Sequence, residues 1–138
     1  MISLIYIVVI FLWIVYSYLE GQREAIYYDM ASKMVVIPEL HPLYVAQRGS
    51  VFIIISLLCA VNTGLISLFL MGFMILSFSP IHDSAYYITR NSLNRSVYPN
   101  TWKDDSTTST AVFEIDFLGR KILAVLSILA LIGFFINI

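Results

Sequence analysis

The chain has 138 residues, 59% of them hydrophobic and only 12% charged, with a formal net charge of −1. A typical soluble domain is nearer half apolar and a quarter charged, so this composition predicts an integral membrane protein, organised as one domain over residues 1–138. The near-neutral balance leaves no basic footprint for nucleic acid, and the single cysteine, Cys59 in "IIISLLCAVN", cannot close a disulfide within the chain and reads as a small buried hydrophobe.

The first predicted element is the apolar run Ile2–Leu19. At 1.5 Å per residue it is long enough to cross a hydrocarbon core of about 30 Å. It has neither a basic n-region nor an A-x-A cleavage pattern, so it reads as a retained membrane helix and not as a secretory signal. The following "LEGQREAIYYDMASKM" is rich in helix formers, which predicts one helix from about Ile2 to about Met34. "VVIPELHP" then breaks it, because Pro38 and Pro42 both disfavour helix for the residue before them.

The next apolar run, Gly49–Ile81, carries no charge, and its 33 residues would make a single helix of roughly 50 Å. Tilt rarely absorbs that much excess. "VNTGL", Val61 to Leu65, supplies a turn in its middle, so the run is expected to fold back as a hairpin. The second span then has to begin near Pro42, a residue suited to the first turn of a helix. The third helix is expected to run from Leu65 through "HDSAYYITRNSL", with a kink at Pro80 as it leaves the bilayer. Residues 94–117 form the longest non-helical piece. Within it "DDSTTST" reads as a solvated loop or a helix cap, and "VFEIDF" alternates like a short strand or interfacial segment. Ile122–Ile138 is the last apolar run.

The predicted fold is therefore an all-α integral membrane protein. Four transmembrane helices form an antiparallel bundle, with spans at about 2–19, 43–61, 65–81 and 121–138, and the first and third helices extend into the cytoplasm. With four spans every cation (Arg23, Lys33, Arg48, Arg90, Arg95, Lys103, Arg120 and Lys121) falls on one side. The positive-inside rule then puts segments 20–42 and 82–120 in the cytoplasm and both termini outside. Small size and short loops suggest a bacterial inner membrane, or a virus-encoded protein in one.

Four helix ends carry polar groups at nearly the same depth, around Glu20, between His41 and Arg48, at His82-Asp83, and after Asp116. Glu20, Glu24 and Tyr27 share one face of the first helix by i, i+4, i+7 spacing, and Asp83, Tyr86, Tyr87 and Arg90 share a face of the third. Two chemistries suit such a rim. His82, Asp83, Glu20 and His41 are imidazole and carboxylate, the ligands a divalent first-row metal uses, although no H-x-x-H, H-E-x-x-H or E-x-x-H spacing is present. Alternatively Glu24, Arg48, Tyr86 and Arg90 join them in a network of ion pairs, Glu20 with Arg48 and Asp83 with Arg90, that offsets the cost of charge near lipid.

No catalytic residue is legible, since nucleophile elbow, Gly-rich phosphate loop and cysteine–histidine pair are all missing. The functional expectation is a structural or accessory helical bundle. A membrane enzyme or ligand-binding protein using the rim for a metal or a lipid headgroup is the alternative, and an oligomeric, holin-like pore is the third. The expected partners are the bilayer and either further copies of the chain or a larger membrane complex.

Overall fold

A computed structural model of the chain describes residues 2–33, 49, 51–53, 55, 64–98 and 115–137. Among them the structure is all-helical, with no strand. Three helices account for most of it: α1, Ile2–Ser32; α2, Gly64–Leu93; and α3, Phe117–Ile136. Residues 49, 51–53 and 55 are helical as well. All three named helices are long and apolar enough to cross a membrane, over Leu4–Met30, Ile66–Leu93 and Phe117–Ile136. The chain is a helical membrane protein by that criterion. The predicted turn at Asn62 and Thr63, the Pro38–Pro42 break, and the greater part of the predicted second span lie outside the described residues.

Helix α1 matches its expected length, and α2, the third helix of the sequence reading, starts at Gly64 and runs unbroken through Pro80. Proline deletes one backbone N–H from the ladder, a loss that membrane helices accommodate by local adjustment. Helix α3 differs from expectation. It begins at Phe117, several residues before the predicted span, because Asp116 caps it: the Gly119 amide donates to Asp116 Oδ1 at 2.6 Å. An aspartate satisfies one of the four orphan N–H groups of the first turn. The strand-like alternation of "VFEIDF" thus ends in a cap and a helix start, and residues 112–114 lie outside the described set. At the other end the Asn137 amide donates to Phe134 O and its side chain to Gly133 O.

Packing sets the directions. Trp13 Nε1 donates to Ser77 Oγ at 3.2 Å, and ten residues or so further on Glu24 meets His82 and Ala25 packs with Tyr86 and Tyr87. Residue numbers rise together, so α1 and α2 run side by side in the same direction. Against α2, Gly72 lies beside Ala130, Gly133 beside Phe69, and Arg120 over the Tyr87 ring, so α3 runs the opposite way. As a result Arg23, Lys33, Arg90, Arg95, Arg120 and Lys121 gather at one end of the unit.

The core at the other end is Tyr6, Ile10 and Trp13 of α1, one face by i, i+4, i+7 spacing, against Leu70, Phe73 and Met74 of α2 and Phe134 of α3. Val51, Phe52 and Ile55 pack against this cluster too, with the Phe52 ring 6.3 Å from that of Trp13. The outer faces are inverted relative to a soluble protein. Leu4, Ile7, Phe11 and Leu12 of α1 and Ile122, Val125, Leu129 and Ile132 of α3 are all exposed. In water a surface of that kind would aggregate, whereas in lipid it is the ordinary solvent-facing side.

Candidate functional site

Beyond the aromatic core the α1–α2 seam changes character. Ser17, Gly21 and Ala25, spaced i, i+4, i+8, are all buried and small. They let the two backbones approach until a Cβ built on Gly21 would stand 2.2 Å from the His82 carbonyl oxygen and 3.1 Å from Ala85 Cβ. Helix pairs in membranes rely on such small residues, because lipid leaves no hydrophobic gain for association and close packing must replace it. This stripe is the feature that the sequence reading missed, although its small-xxx-small-xxx-small pattern is plain in "SYLEGQREA".

At that closest approach sits a carboxylate–imidazole–carboxylate cluster. His82 Nε2 is 2.7 Å from Glu24 Oε2 across the seam, and Nδ1 is 3.0 Å from Asp83 Oδ1 on its own helix. The His82 and Glu24 side chains are only 8% and 9% exposed, while Asp83 keeps 29%, so one arm is dry and the other partly wet. Ser79 Oγ donates to the second oxygen of Asp83 at 2.6 Å. The imidazole lies between the rings of Phe78, 5.0 Å away and nearly parallel, and Tyr86, 6.4 Å away. Residues 78, 82 and 86 are spaced i, i+4, i+8, so the helix itself builds this stack.

A second layer continues toward the helix ends. Arg90 donates from a terminal guanidinium nitrogen to Tyr86 Oη at 3.0 Å, and its Cζ lies 5.2 Å from the centroid of the Tyr86 ring and 4.2 Å from that of Tyr98. Tyr98 is brought there by the turn after α2. Its amide donates to Asn94 O, its carbonyl accepts from Asn91 Nδ2, and Asn94 Oδ1 accepts from the Ser96 amide and hydroxyl. Asp29, buried near the end of α1, accepts from Lys33 Nζ at 2.6 Å. The hydrogen bond to Asp29 stabilises the charged form of Lys33 and holds its ammonium above the usual lysine value. Arg120 of α3 is buried over the Tyr87 ring at 5.1 Å. A guanidinium stacked on an aromatic face keeps its charge stabilised where water is scarce.

Of the residues the sequence singled out, the structure brings together His82, Asp83 and Glu24, with Tyr86 stacked on them and Arg90 bonded to Tyr86. The pairing differs from expectation. Asp83 takes His82 and Ser79, and Arg90 goes to Tyr86. Glu20, buried on the same face of α1, accepts from Arg23 at 2.7 Å. An i, i+3 neighbour reaches Glu20 from the same helix without crossing a seam. His41 and Arg48 lie outside the described residues. Among the described residues no group of three or more histidine, cysteine, aspartate or glutamate side chains is arranged to hold a metal ion. Compared with known protein families, curated proteins and solved structures, the chain matches none.

Proposed function

We propose that the chain is a structural or accessory protein of a cell membrane, a four-span bundle whose helices are tied at the cytoplasmic rim by the Glu24–His82–Asp83 cluster. The observation that carries this reading is the cluster itself. Both ring nitrogens of His82 are engaged by carboxylates, its two faces are covered by Phe78 and Tyr86, and the seam beneath it admits no side chain at Gly21. A group so enclosed joins helices.

The fourth span is supported by the parallel course of α1 and α2. A chain that leaves α1 at Ser32 and begins α2 at Gly64, level with the start of α1, has to return along the whole of α1, about 46 Å for its 31 residues. The 31 residues from 33 to 63 are enough to cover that distance, since even a helix, more compact than extended chain, rises about 1.5 Å per residue. The position of Phe52 agrees with such a return. It packs on Trp13, about 17 Å along α1 from Ile2, and so lies part-way along α1 on the path from Ser32 back to Gly64. The gathering of the cations at one end supports an orientation with that end cytoplasmic and both termini outside.

The test replaces the tie. Glu24→Ala should take the carboxylate from the buried Nε2 of His82 and loosen the bundle by about 1–3 kcal/mol, as loss of one partner of a buried polar group does. If Glu24→Ala unfolds in detergent at the same denaturant concentration as wild type, the cluster is not what holds these helices together.

A further inference from the structure

Helix α1 carries a second stripe, on the side turned away from α2. Leu4, Val8, Phe11, Val15, Tyr18 and Gln22 recur at alternating steps of four and three residues. That period keeps one face of a helix toward a partner over several turns. Along about 27 Å of helix the stripe stays opposite Tyr6, Ile10, Trp13 and Ser17, which α1 buries. Leu4, Val8, Phe11 and Tyr18 are exposed, and Val15 and Gln22 are half-buried. Val51, Phe52 and Ile55 pack on the Trp13 cluster, the far face of α1 from this stripe. The rim end of the stripe is polar. Gln22 Nε2 donates to Tyr18 Oη at 3.4 Å, one turn earlier. That bond uses one of the two N–H donors of the amide; the other donor and the carbonyl oxygen form an edge that complements a copy of itself. Leu118, Ile122, Val125, Leu129 and Ile132 of α3 are exposed at the same spacing. They are aliphatic throughout, however, and lipid tails match such a surface as well as protein does.

We propose that a second copy of this chain docks on the stripe from Leu4 to Gln22, α1 against α1, about a two-fold axis along the membrane normal. Both copies insert with the same orientation, so the two α1 helices run parallel. In a two-fold contact each residue near the axis meets its own counterpart, and the stripe has to complement itself. Its composition does so. The β-branched Val8 and Val15 alternate with the larger Leu4, Phe11 and Tyr18, the arrangement that favours two strands in a parallel pair. At the rim the partial positive charge on the Gln22 N–H of one copy faces the partial negative charge on the Gln22 oxygen of the other. Such complementarity fixes register more than it adds affinity. A slip of one heptad would set Gln22 against Val15 and leave the amide without that match. The tie between Glu24 and His82 lies on the opposite face of α1, so the dimer neither uses it nor depends on it.

The experiment is cysteine cross-linking of the full chain in phospholipid vesicles, in a Cys59→Ser background, with copy number read by single-molecule photobleaching through a terminal tag. Leu4→Cys and Phe11→Cys should give disulfide-linked dimers under mild oxidation. Ile5→Cys and Leu12→Cys, each one residue away and similarly exposed, should not. The tagged wild type should bleach in two steps at protein-to-lipid ratios where chance pairs are scarce. Gln22→Met should lower dimer stability about 3- to 10-fold, the weight of one or two interhelical hydrogen bonds in a membrane. Helical circular dichroism should stay unchanged in all these variants, because each alters the outward side of α1. One-step bleaching overturns the proposal, since lipid alone then covers the stripe. Equal cross-linking at residues 4, 5, 11 and 12 overturns it as random collision. Dimers that link through Val125→Cys on α3 instead, or that form undiminished in Gln22→Met, overturn it by showing that another face makes the contact or that the amide sets no register.

Discussion

Replacing Gly21 by alanine sets two effects of opposite sign against each other. In an ordinary helix the added methyl stabilises by about 1 kcal/mol, because glycine gives up more backbone freedom. Here the new Cβ would stand 2.2 Å from the His82 carbonyl oxygen, a backbone atom that no rotamer change can move aside. Ordinary contact needs about 3.5 Å, so the helices must part by a little over 1 Å at this point. Overpacking of that kind costs about 1–3 kcal/mol. The Glu24–His82 contact would stretch from 2.7 Å to nearly 4 Å, beyond hydrogen-bond range, which forfeits much of a buried contact worth about 1–3 kcal/mol when broken. The net expectation is a loss of about 2–4 kcal/mol. Reversible unfolding in mixed micelles, followed by helical circular dichroism, would measure it. Gly72→Ala is the control, since its Cβ would find only Ala130 Cβ at 3.7 Å, and it should be neutral or slightly stabilising. If Gly21→Ala proves as stable as Gly72→Ala, the helices do not cross at Gly21 as described and the site built on that crossing goes with it.

The remaining expectations concern other parts of the molecule. Trp13→Phe removes the N–H donated to Ser77 Oγ inside the apolar half and should destabilise by about 1 kcal/mol in the same assay; a gain in stability would mean the hydroxyl prefers its bond to Met74 O alone. Asp116→Ala deletes the cap of α3 and should cost about 1 kcal/mol, while Asp116→Asn should recover most of it. Reporter fusions should place both termini on the opposite face from a reporter inserted in the 99–114 segment, and a cytoplasmic signal from either terminus would refute the four-span reading. Lys33→Ala removes the exposed cation bonded to Asp29, whose side chain is only 10% exposed, and should destabilise, though less than Glu24→Ala, because the Lys33 ammonium is itself in water.

The legible part of the fold was the part governed by length and hydropathy. The extents of α1 and α2 could be read from helix formers, Pro38 and the charge-free run; of the first helix's carboxylates, however, His82 meets Glu24, where the sequence reading grouped it with Glu20, which pairs with Arg23. Pairing was less legible. Glu20 and Arg90 found partners on their own helices, Arg23 and Tyr86, because spacing along a helix brings side chains together without any tertiary constraint. Asp116 was hidden inside an alternating pattern that looked like a strand, since a single capping side chain outweighs two or three residues of weak periodicity. Gly21 was passed over because a lone glycine among helix formers reads as a flaw in the helix, and its meaning appears only when the second helix is laid against it.

That last point bears on why the polar tie sits where it does. Glu24 and His82 could bond at 2.7 Å only if the backbones carrying them were close, and a buried pair in a poorly polarisable setting is favourable only when its geometry is good. The Ser17–Gly21–Ala25 stripe supplies that closeness one turn before the pair, just past the aromatic packing of Trp13 with Phe78. Large side chains hold the helices together in the apolar half, where among the described residues the polar groups on the α1–α2 seam are the Trp13 N–H and a few hydroxyls. Small side chains draw them closer where the first ionisable groups appear, so that Glu24 reaches a partner on the neighbouring helix instead of facing lipid. An apolar pair of similar size at 24 and 82 could pack as tightly, and replacing buried ion pairs in that way is often neutral or stabilising. What such a pair would lose is the register: a hydrogen-bonded carboxylate and imidazole meet in one alignment of α1 on α2, whereas aliphatic side chains would tolerate several.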